Sequence, residues 1–347
     1  MARRPSIHDV AAAAGVSITT VSHALSGKGR LPQETRDHVR RIAERIGYAP
    51  SMHARGLATG RTMLLAIQAS GFDTRALVPQ LAYFVDLLNA ASATAIERGY
   101  ALMLLPPDTP EERLQRLAFD GAAIIDPVGD ELLLAALRAE GKPVVTTGRI
   151  PGEPDAGTSI DSDHVAAARM MLDHLAEAGC ERPALLTTGK GPSYVADAAR
   201  GYRSWCRASK VKPRVLTVRG EPSEQAGQRV MGRALDAHGS AIDGVYATLD
   251  VLAIGALRAA RERDVAVPGE LAIAAITDSP SLRAASPPVT ALDLHPEQIG
   301  ARAIALLVAL IEGAAVEDGG EPVPADLVAR ASSAVVTRDG GLAVLEA

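Results

Sequence analysis

Apolar positions along the first fifty residues fall at helical intervals in three short runs. Val10, Ala11 and Ala14 share one face of a helix of about two turns that starts after Ser6, with Asp9 placed as in a capping box. Gly15 then permits a tight, left-handed turn that a Cβ would resist. Ser17 can cap a second helix, whose Val21 and Leu25 turn inward and leave Ile18, Thr19, Ser22 and His23 outside. Ala11 must be small if the two helices cross steeply, as in a helix-turn-helix. A third helical repeat over 33–46 has apolar residues at 39, 42, 43 and 46, and Gly47 stops it. Residues 1–50 therefore read as an all-α, DNA-binding head. In 51–61, Pro50 is a break and Ser51 an N-cap for a short helical stretch through Ala58; a helix of that length forms only against a partner.

From Met63 the pattern changes to short apolar runs alternating with helical repeats. Strands are predicted at 64–69, 101–105, 122–126 and 144–147, separated by helices at 79–98, 110–118 and 130–140. A second series has strands at 184–188, 215–218, 244–247 and 271–276, with helices at 164–178, 194–209, 223–237 and 251–263. Two βα series in succession predict two parallel-sheet lobes, which bind ligands where strand carboxyl ends meet a crevice. Residues 313–324 are loop-like, 327–336 can supply a final strand, and no C-terminal leucine heptad supports a tetramerising coiled coil.

A length of 347 residues fits about two or three domains, and 47% hydrophobic residues suffice for well-buried cores. The net charge of −5 argues against nucleic acid for the chain as a whole, but its distribution reverses that. Residues 1–61 hold ten Lys/Arg against four Asp/Glu, whereas the remainder holds 26 against 37, so a basic head precedes an acidic body. His8, His23, His38 and His53 lack metal-ligand spacing and read as surface or phosphate-facing. Cys180 and Cys206 form no CxxC pair, so neither a disulfide framework nor a zinc site is indicated, and free thiols point to the cytoplasm. No apolar segment follows Arg3 and Arg4, and the longest apolar run, near 304–311, is too short to span a bilayer. A soluble, unexported protein without metal or cofactor is expected.

Several segments carry a resemblance: IHDVAAAAGVSITTVSHALSG, LPQETRDHVRRIAERIGYAPS, ARGLATGRT, DHVAAARMMLDHLAEAGCERPALLTTG and SPPVTALDLHPEQIGARAIALL. Over 6–336 the chain resembles the LacI/GalR family of bacterial transcription regulators. The resemblance implies a homodimer on a palindromic operator, most simply as a repressor. Residues 17–26 would enter the major groove, and 51–58 would fold as a hinge helix in the minor groove. Leu57 matches the wedge that kinks the operator centre, with Ala54 and Arg55 beside it as further DNA contacts. Ile18, Thr19 and His23 fall where the family reads bases, and His23 replaces a frequent arginine, so it offers fewer donors to guanine. Ser17, Thr20, Ser22, Ser26, Arg30, Thr35 and Tyr48 are candidates for phosphate contacts, and Pro32 stands where a capping serine is common.

The resemblance also implies a periplasmic-binding-protein-like effector and dimerisation domain over 62–336. One lobe would comprise 62–160 and 291–318 and the other 161–290 and 321–336, followed by a tail over 337–347. A small-molecule effector in the cleft would shift the dimer between DNA-competent and incompetent states. Ser70, Phe72, Asp73, Asp161, Tyr194, Ala198, Leu249 and Thr277 are the expected lining. Ala198 replaces a common arginine, Leu249 the asparagine of an Asn-Asp pair, Thr277 the first of two aspartates, and Pro222 a stacking aromatic. With only 3% aromatic residues and these polar hooks missing, the expected effector is less polar than a simple hexose, or the response is weak or absent. The helix over 79–98, with Leu81, Phe84, Val85 and Leu88 at helical spacing, is expected to serve both core packing and the dimer surface.

Two other classes compete with a DNA-binding regulator. An enzyme on the same lobes would be expected to show a GxGxxG, P-loop or GxSxG in strand-to-helix context, and none occurs. Gly189-Lys190-Gly191 reads as a turn, and Asp161 and Asp163 beside His164 read as helix caps in preference to acid–base or metal chemistry. A solute-binding protein would carry an export signal and lack the basic head.

Overall fold

The computed structural model describes residues 5–26, 30–48, 56, 59–70, 82–153, 158–238, 241–315, 320–336 and 342–343. The chain separates into two units, Met1–Met63 and Leu64–Ala347.

In the first unit, α1 (Ile7–Ala14), α2 (Ile18–Ser26) and α3 (Gln33–Ile46) enclose a small core of Val10, Ala11, Ala14, Val21, Ala24, Val39, Ile42 and Ala43. The Asp9 carboxylate accepts from the Ser6 backbone N–H and hydroxyl, each at 2.7 Å, fixing the start of α1. Gly15, at φ +66°, ends that helix in the left-handed region and allows the sharp entry into α2. Thr20 N–H donates to Ser17 Oγ at 3.0 Å, the predicted cap of α2. Arg36 of α3 donates to the His23 and Leu31 carbonyls, at 3.5 and 3.4 Å, tying α3 to α2. His38, expected at the surface or on phosphate, is exposed but sets its Nε2 3.3 Å from the Ala14 carbonyl, which α1 leaves without an intrahelical donor.

The second unit contains two sheets. The first has order β2-β1-β3-β4-β5 and is wholly parallel, built from β1 (Leu64–Ala69), β2 (Ala101–Leu104), β3 (Gly121–Ile125), β4 (Val144–Thr147) and β5 (Thr158–Ile160). Helices α4 (Ala82–Glu97), α5 (Glu111–Leu114) and α6 (Leu132–Glu140) connect its strands. The order of the second is β11-β10-β9-β8-β6-β7. Its strands are β6 (Pro183–Thr187), β7 (Val215–Thr217), β8 (Gly244–Ala247), β9 (Ala272–Ala275), β10 (Thr290–Asp293) and β11 (Asp326–Val328), the last antiparallel. Its helices are α7 (His164–Glu177), α8 (Ser193–Ala208), α9 (Glu224–His238), α10 (Asp250–Arg261) and α11 (Pro280–Ala284). The strands β3, β6, β8 and β9 are buried along their whole length, as parallel strands covered on both faces must be.

The predicted strands and most helices recur within a residue or two. Three departures have physical reasons. Strands β5 and β10 lack the long apolar run that signals a buried strand, so periodicity passed over them. Because β10 pairs with β9, the crossing back to the first lobe falls after Asp293, a few residues later than expected. The helix expected over 110–118 contracts to α5. The single strand expected over 327–336 breaks into β11, a 3-10 turn at Ala331–Ser333, and β12 (Val335–Val336), which pairs with β13 (Leu342–Ala343). Buried hydroxyls force that break: Ser332 Oγ donates to the Ile273 carbonyl at 2.5 Å and accepts from Thr290 N–H at 2.9 Å. Ser333 Oγ lies 2.7 Å from His174 Nε2 and 2.6 Å from Thr290 Oγ1.

The long helix α12 (Pro296–Ile311) returns to the first lobe and lies on α4. Gly300 makes the contact possible, since a Cβ there would collide with the Leu87 backbone carbonyl. Neither backbone can retreat without disturbing its own helix. Gly300→Ala should therefore cost about 1–3 kcal/mol by overpacking. Thermal unfolding checks this; an unchanged melting temperature would show that the two helices are not held at this distance.

Candidate functional site

The first candidate surface is the outer side of α2. Its period turns Val21 and Ala24 into the core and leaves Ile18, Thr19 and Ser17 exposed, with Thr20, Ser22 and His23 half-buried. Ile18 is 42% exposed, a large apolar side chain offered at the start of a helix rather than packed away. Ser17 Oγ and Thr20 Oγ1 lie 2.9 Å apart, so their hydroxyls form one polar edge beside it. Arg30 is exposed, Thr35 is half-buried in the first turn of α3, and half-buried Tyr48 rests on the head core, where burial raises its phenol pKa. Pro32 occupies the N-cap of α3 and supplies no side-chain cap. Ser26 ends α2, with its side chain outside the description, and Ala54, Arg55 and Leu57 lie outside the described residues. A half-buried polar helix face flanked by an exposed arginine can enter a groove and hydrogen-bond to base edges and phosphates.

The second candidate is the crevice between the two sheets of the second unit. Arg149, just past the carboxyl end of β4, is its centre. Its guanidinium pairs with Asp161 at 3.3 Å and more closely with Asp197 of α8, while its backbone N–H donates to Ser193 Oγ at 3.1 Å. Asp197 also pairs with Arg200 at 2.9 Å, and its side chain is only 6% exposed. Asp161 reaches His164 Nε2 at 3.5 Å, and the His164 ring lies 5.7 Å from that of Tyr194. Burial pushes the His164 imidazole below its usual pKa, against the opposing pull of Asp161. Asp126, after β3, has its carboxyl raised to about 7, first by burial and then by the charge of Asp161. Burial likewise raises the phenols of Tyr83 and Tyr194, with Asp126 adding to both. Asp250, at the start of α10, is raised by burial despite a bond from Ser279. Burial would also raise Asp278, but hydrogen bonds from Arg330 and Arg283 outweigh it and hold the carboxyl low.

Of the lining expected from sequence, Asp161 and Tyr194 belong to this cluster. Thr277 lines a small pocket between the lobes with Tyr83, Asp86, Asp278 and Leu292. Ser70 is buried and donates to Glu131 Oε1 at 2.5 Å, and half-buried Leu249 packs on the second-lobe core. Ala198 is displaced from the expected lining: it is wholly buried with Val195 and Tyr202 on the inner face of α8. Phe72 and Asp73 lie outside the described residues. Asp163 caps α7, accepting from Val165 and Ala166 N–H, but Asp161 does not cap and faces Arg149 and His164 instead. Gly189 to Gly191 form a turn that the Thr188 hydroxyl closes on the Lys190 carbonyl at 2.8 Å.

Sequence reasoning missed Asp126, Arg149, Asp197 and Tyr83, and it set His164 aside beside a helix cap. Asp126 ends one predicted strand and Arg149 lies two residues past another, at the carboxyl ends where such folds put ligand groups, and that signal could have found them. Counting absent hooks pointed to an effector less polar than a simple hexose or to a weak or absent response; the crevice itself holds the Arg149 ion pairs and the rings of Tyr83 and Tyr194.

Comparison with known proteins finds matches for both units of the chain. Residues 6–51 match the family described as bacterial regulatory proteins, lacI family, and residues 172–333 match a periplasmic binding protein-like domain. The HTH-type transcriptional regulator CelR of Thermobifida fusca is 28% identical over 91% of this chain and 94% of its own length. The ribose operon repressor of Halalkalibacterium halodurans is 26% identical over 93% of this chain and 96% of its own. Among solved structures, a complex of the transcriptional regulator CelR with cellobiose superposes with a TM-score of 0.71 at 25% identity, covering 95% of this chain and all of that one.

The raised carboxyl of Asp126 sets a sign for stability against pH. Its folded pKa lies above the unfolded value, so the folded state holds a proton that the unfolded state has lost, and stability falls as pH rises from about 4 to about 7. Asp126→Asn should melt above the parent protein at pH 7.5, with the gap closing as pH falls toward 4. A gap independent of pH would mean that Asp126 is not the titrating group.

Proposed function

As this chain is a transcriptional regulator of the lacI family, we propose that it acts as a homodimeric repressor whose affinity for a palindromic operator is set by a polar small molecule in the interlobe cleft. The exposed face of α2 carries the reading. It combines an apolar tip, Ile18, with hydroxyls and an imidazole on a compact basic head, and among the described residues none of them belongs to the head's core. Ile18, Thr19 and His23 read base edges in the major groove. Ser17, Thr20, Ser22, Ser26, Arg30, Thr35 and Tyr48 hold phosphates, and Leu57 wedges into the minor groove beside Ala54 and Arg55.

The effector is held by groups from both lobes, Arg149, Asp161 and Tyr194 among them. A ligand that bridges the lobes binds their two arrangements unequally, which is the requirement for gating. The cellobiose of the CelR complex supports a polar ligand for this chain as well, in place of the less polar one that its sequence departures suggest. No helix among the described residues is long and apolar enough to cross a membrane, and an operator-binding protein works in the cytoplasm. Relatives that are regulators rather than enzymes support a binding role without turnover.

Selection of sites from random DNA by the full chain, followed by anisotropy titration, tests this. A two-fold symmetric site should emerge. His23→Ala should relax preference at one symmetric base pair, at a cost of about 1–3 kcal/mol. Leu57→Ala should weaken the selected site far more than random DNA. Equal weakening on both, or no symmetric site, would contradict the proposal.

A further inference from the structure

Arg149 meets one face of α8 at two heights. Its backbone N–H donates to Ser193 Oγ at 3.1 Å, and its guanidinium reaches Asp197, four residues on and therefore on the same side of the helix. Gly148 lets the two chains approach: it lies just past β4 at φ +83°, and a Cβ there would stand 3.5 Å from Ser193 Oγ. A turn of the first lobe is thereby clasped to a helix of the second by one side chain and its own backbone.

Breaking a buried ion pair is costly chiefly because it strands a charge. This pair strands neither of its members. Arg149 Nε also pairs at 3.3 Å with Asp161, which directly follows β5 of the same sheet. Asp197 also pairs at 2.9 Å with Arg200, one turn further along α8. When the lobes part here, each member keeps a partner on its own side. Joined and parted arrangements of these four residues therefore differ by the bridge alone, which is the property of a two-state element.

Resting on the reading that this cleft gates the head, we propose that the Arg149 clasp is a reversible latch, which holds the lobes together in the unliganded chain and which the effector opens or replaces. A polar ligand that offers acceptors to the guanidinium and donors to Asp197 exchanges bond for bond with the bridge, while Asp161 and Arg200 steady the partners it displaces. Asp197 is buried, so the bridge is screened less than an exposed pair and closes again once the ligand leaves. The unequal hold of this bridge on the two arrangements is what an effector has to overcome.

Pulsed electron spin resonance on the full chain tests the latch, with nitroxides at two exposed pairs that span the lobes: Ala139→Cys with Ser209→Cys, and Glu112→Cys with Ala237→Cys. The unsubstituted chain, carried through the same labelling, serves as the blank for the buried Cys180 and Cys206. Without added ligand, Arg149→Met and Asp197→Asn should each shift at least one of the two distances by more than about 2 Å. Asp161→Asn removes a charge beside the same guanidinium but leaves the bridge between lobes, and should leave both distances as they are. Circular dichroism checks that each variant folds. Ser193→Ala, which loosens the clasp without touching a charge, should shift the distances in the same direction and serves where a charge variant does not fold. Unchanged distances in the clasp variants, a shift in only one of the two charge variants, or an equal shift in Asp161→Asn would overturn the latch. Selection of an operator tests the regulator reading separately, so the two can fail independently.

Discussion

The buried carboxylate of Asp197 cannot stand alone in the interlobe cleft, and the guanidinium of Arg149 that reaches it from the opposite lobe organises everything around it. Removing a charge from water costs several kcal/mol unless a partner is close and well aligned. Here the partner leaves the carboxyl end of β4 in the first lobe, and its acceptor sits on α8 in the second. The same side chain takes Asp161 at the first crossing between lobes, and its backbone takes Ser193. One residue thereby ties the two sheets and the connection between them.

That arrangement follows from topology. In each lobe the parallel strands direct their carboxyl ends the same way, and the chain passes between lobes so that both sets of ends face one crevice. The crossing after β10 sends α12 back onto α4, and the final segment is pinned in the second lobe by Ser332, Ser333 and the Arg330–Asp278 pair. The lobes are thus joined by several strands of chain, and at the cleft they meet through the Arg149 ion pairs and through Tyr83, which packs on the second-lobe core.

How much was legible in the sequence follows from what kind of signal each feature leaves. The head was legible because capping, the left-handed Gly15 and helical periodicity are local. The buried strands were legible because apolar runs bounded by turns are local too. Strands β5 and β10 were not, since three or four residues of mixed polarity become a strand only when a neighbour supplies the ladder. Site residues divide the same way. Asp161 and Tyr194 stood out beside motifs, but Arg149 and Asp197 are 48 residues apart, and only the fold brings them together. Ala198 misled because family position was read in place of helix face, and the face of α8 that holds Val195 and Tyr202 is the buried one.

The head and the cleft fold as separate units, so a regulator needs the state of one to alter the affinity of the other. Arg149→Met keeps the length and packing of the side chain but removes the charge that joins the lobes. The most direct measurement is the dissociation constant of that variant for the selected operator, set against its constant for random DNA. If the cleft governs the head, the operator constant changes by about fivefold or more while that for random DNA holds, since coupling energies between such sites are about 1–3 kcal/mol. Operator binding indistinguishable from that of the unaltered chain would contradict it.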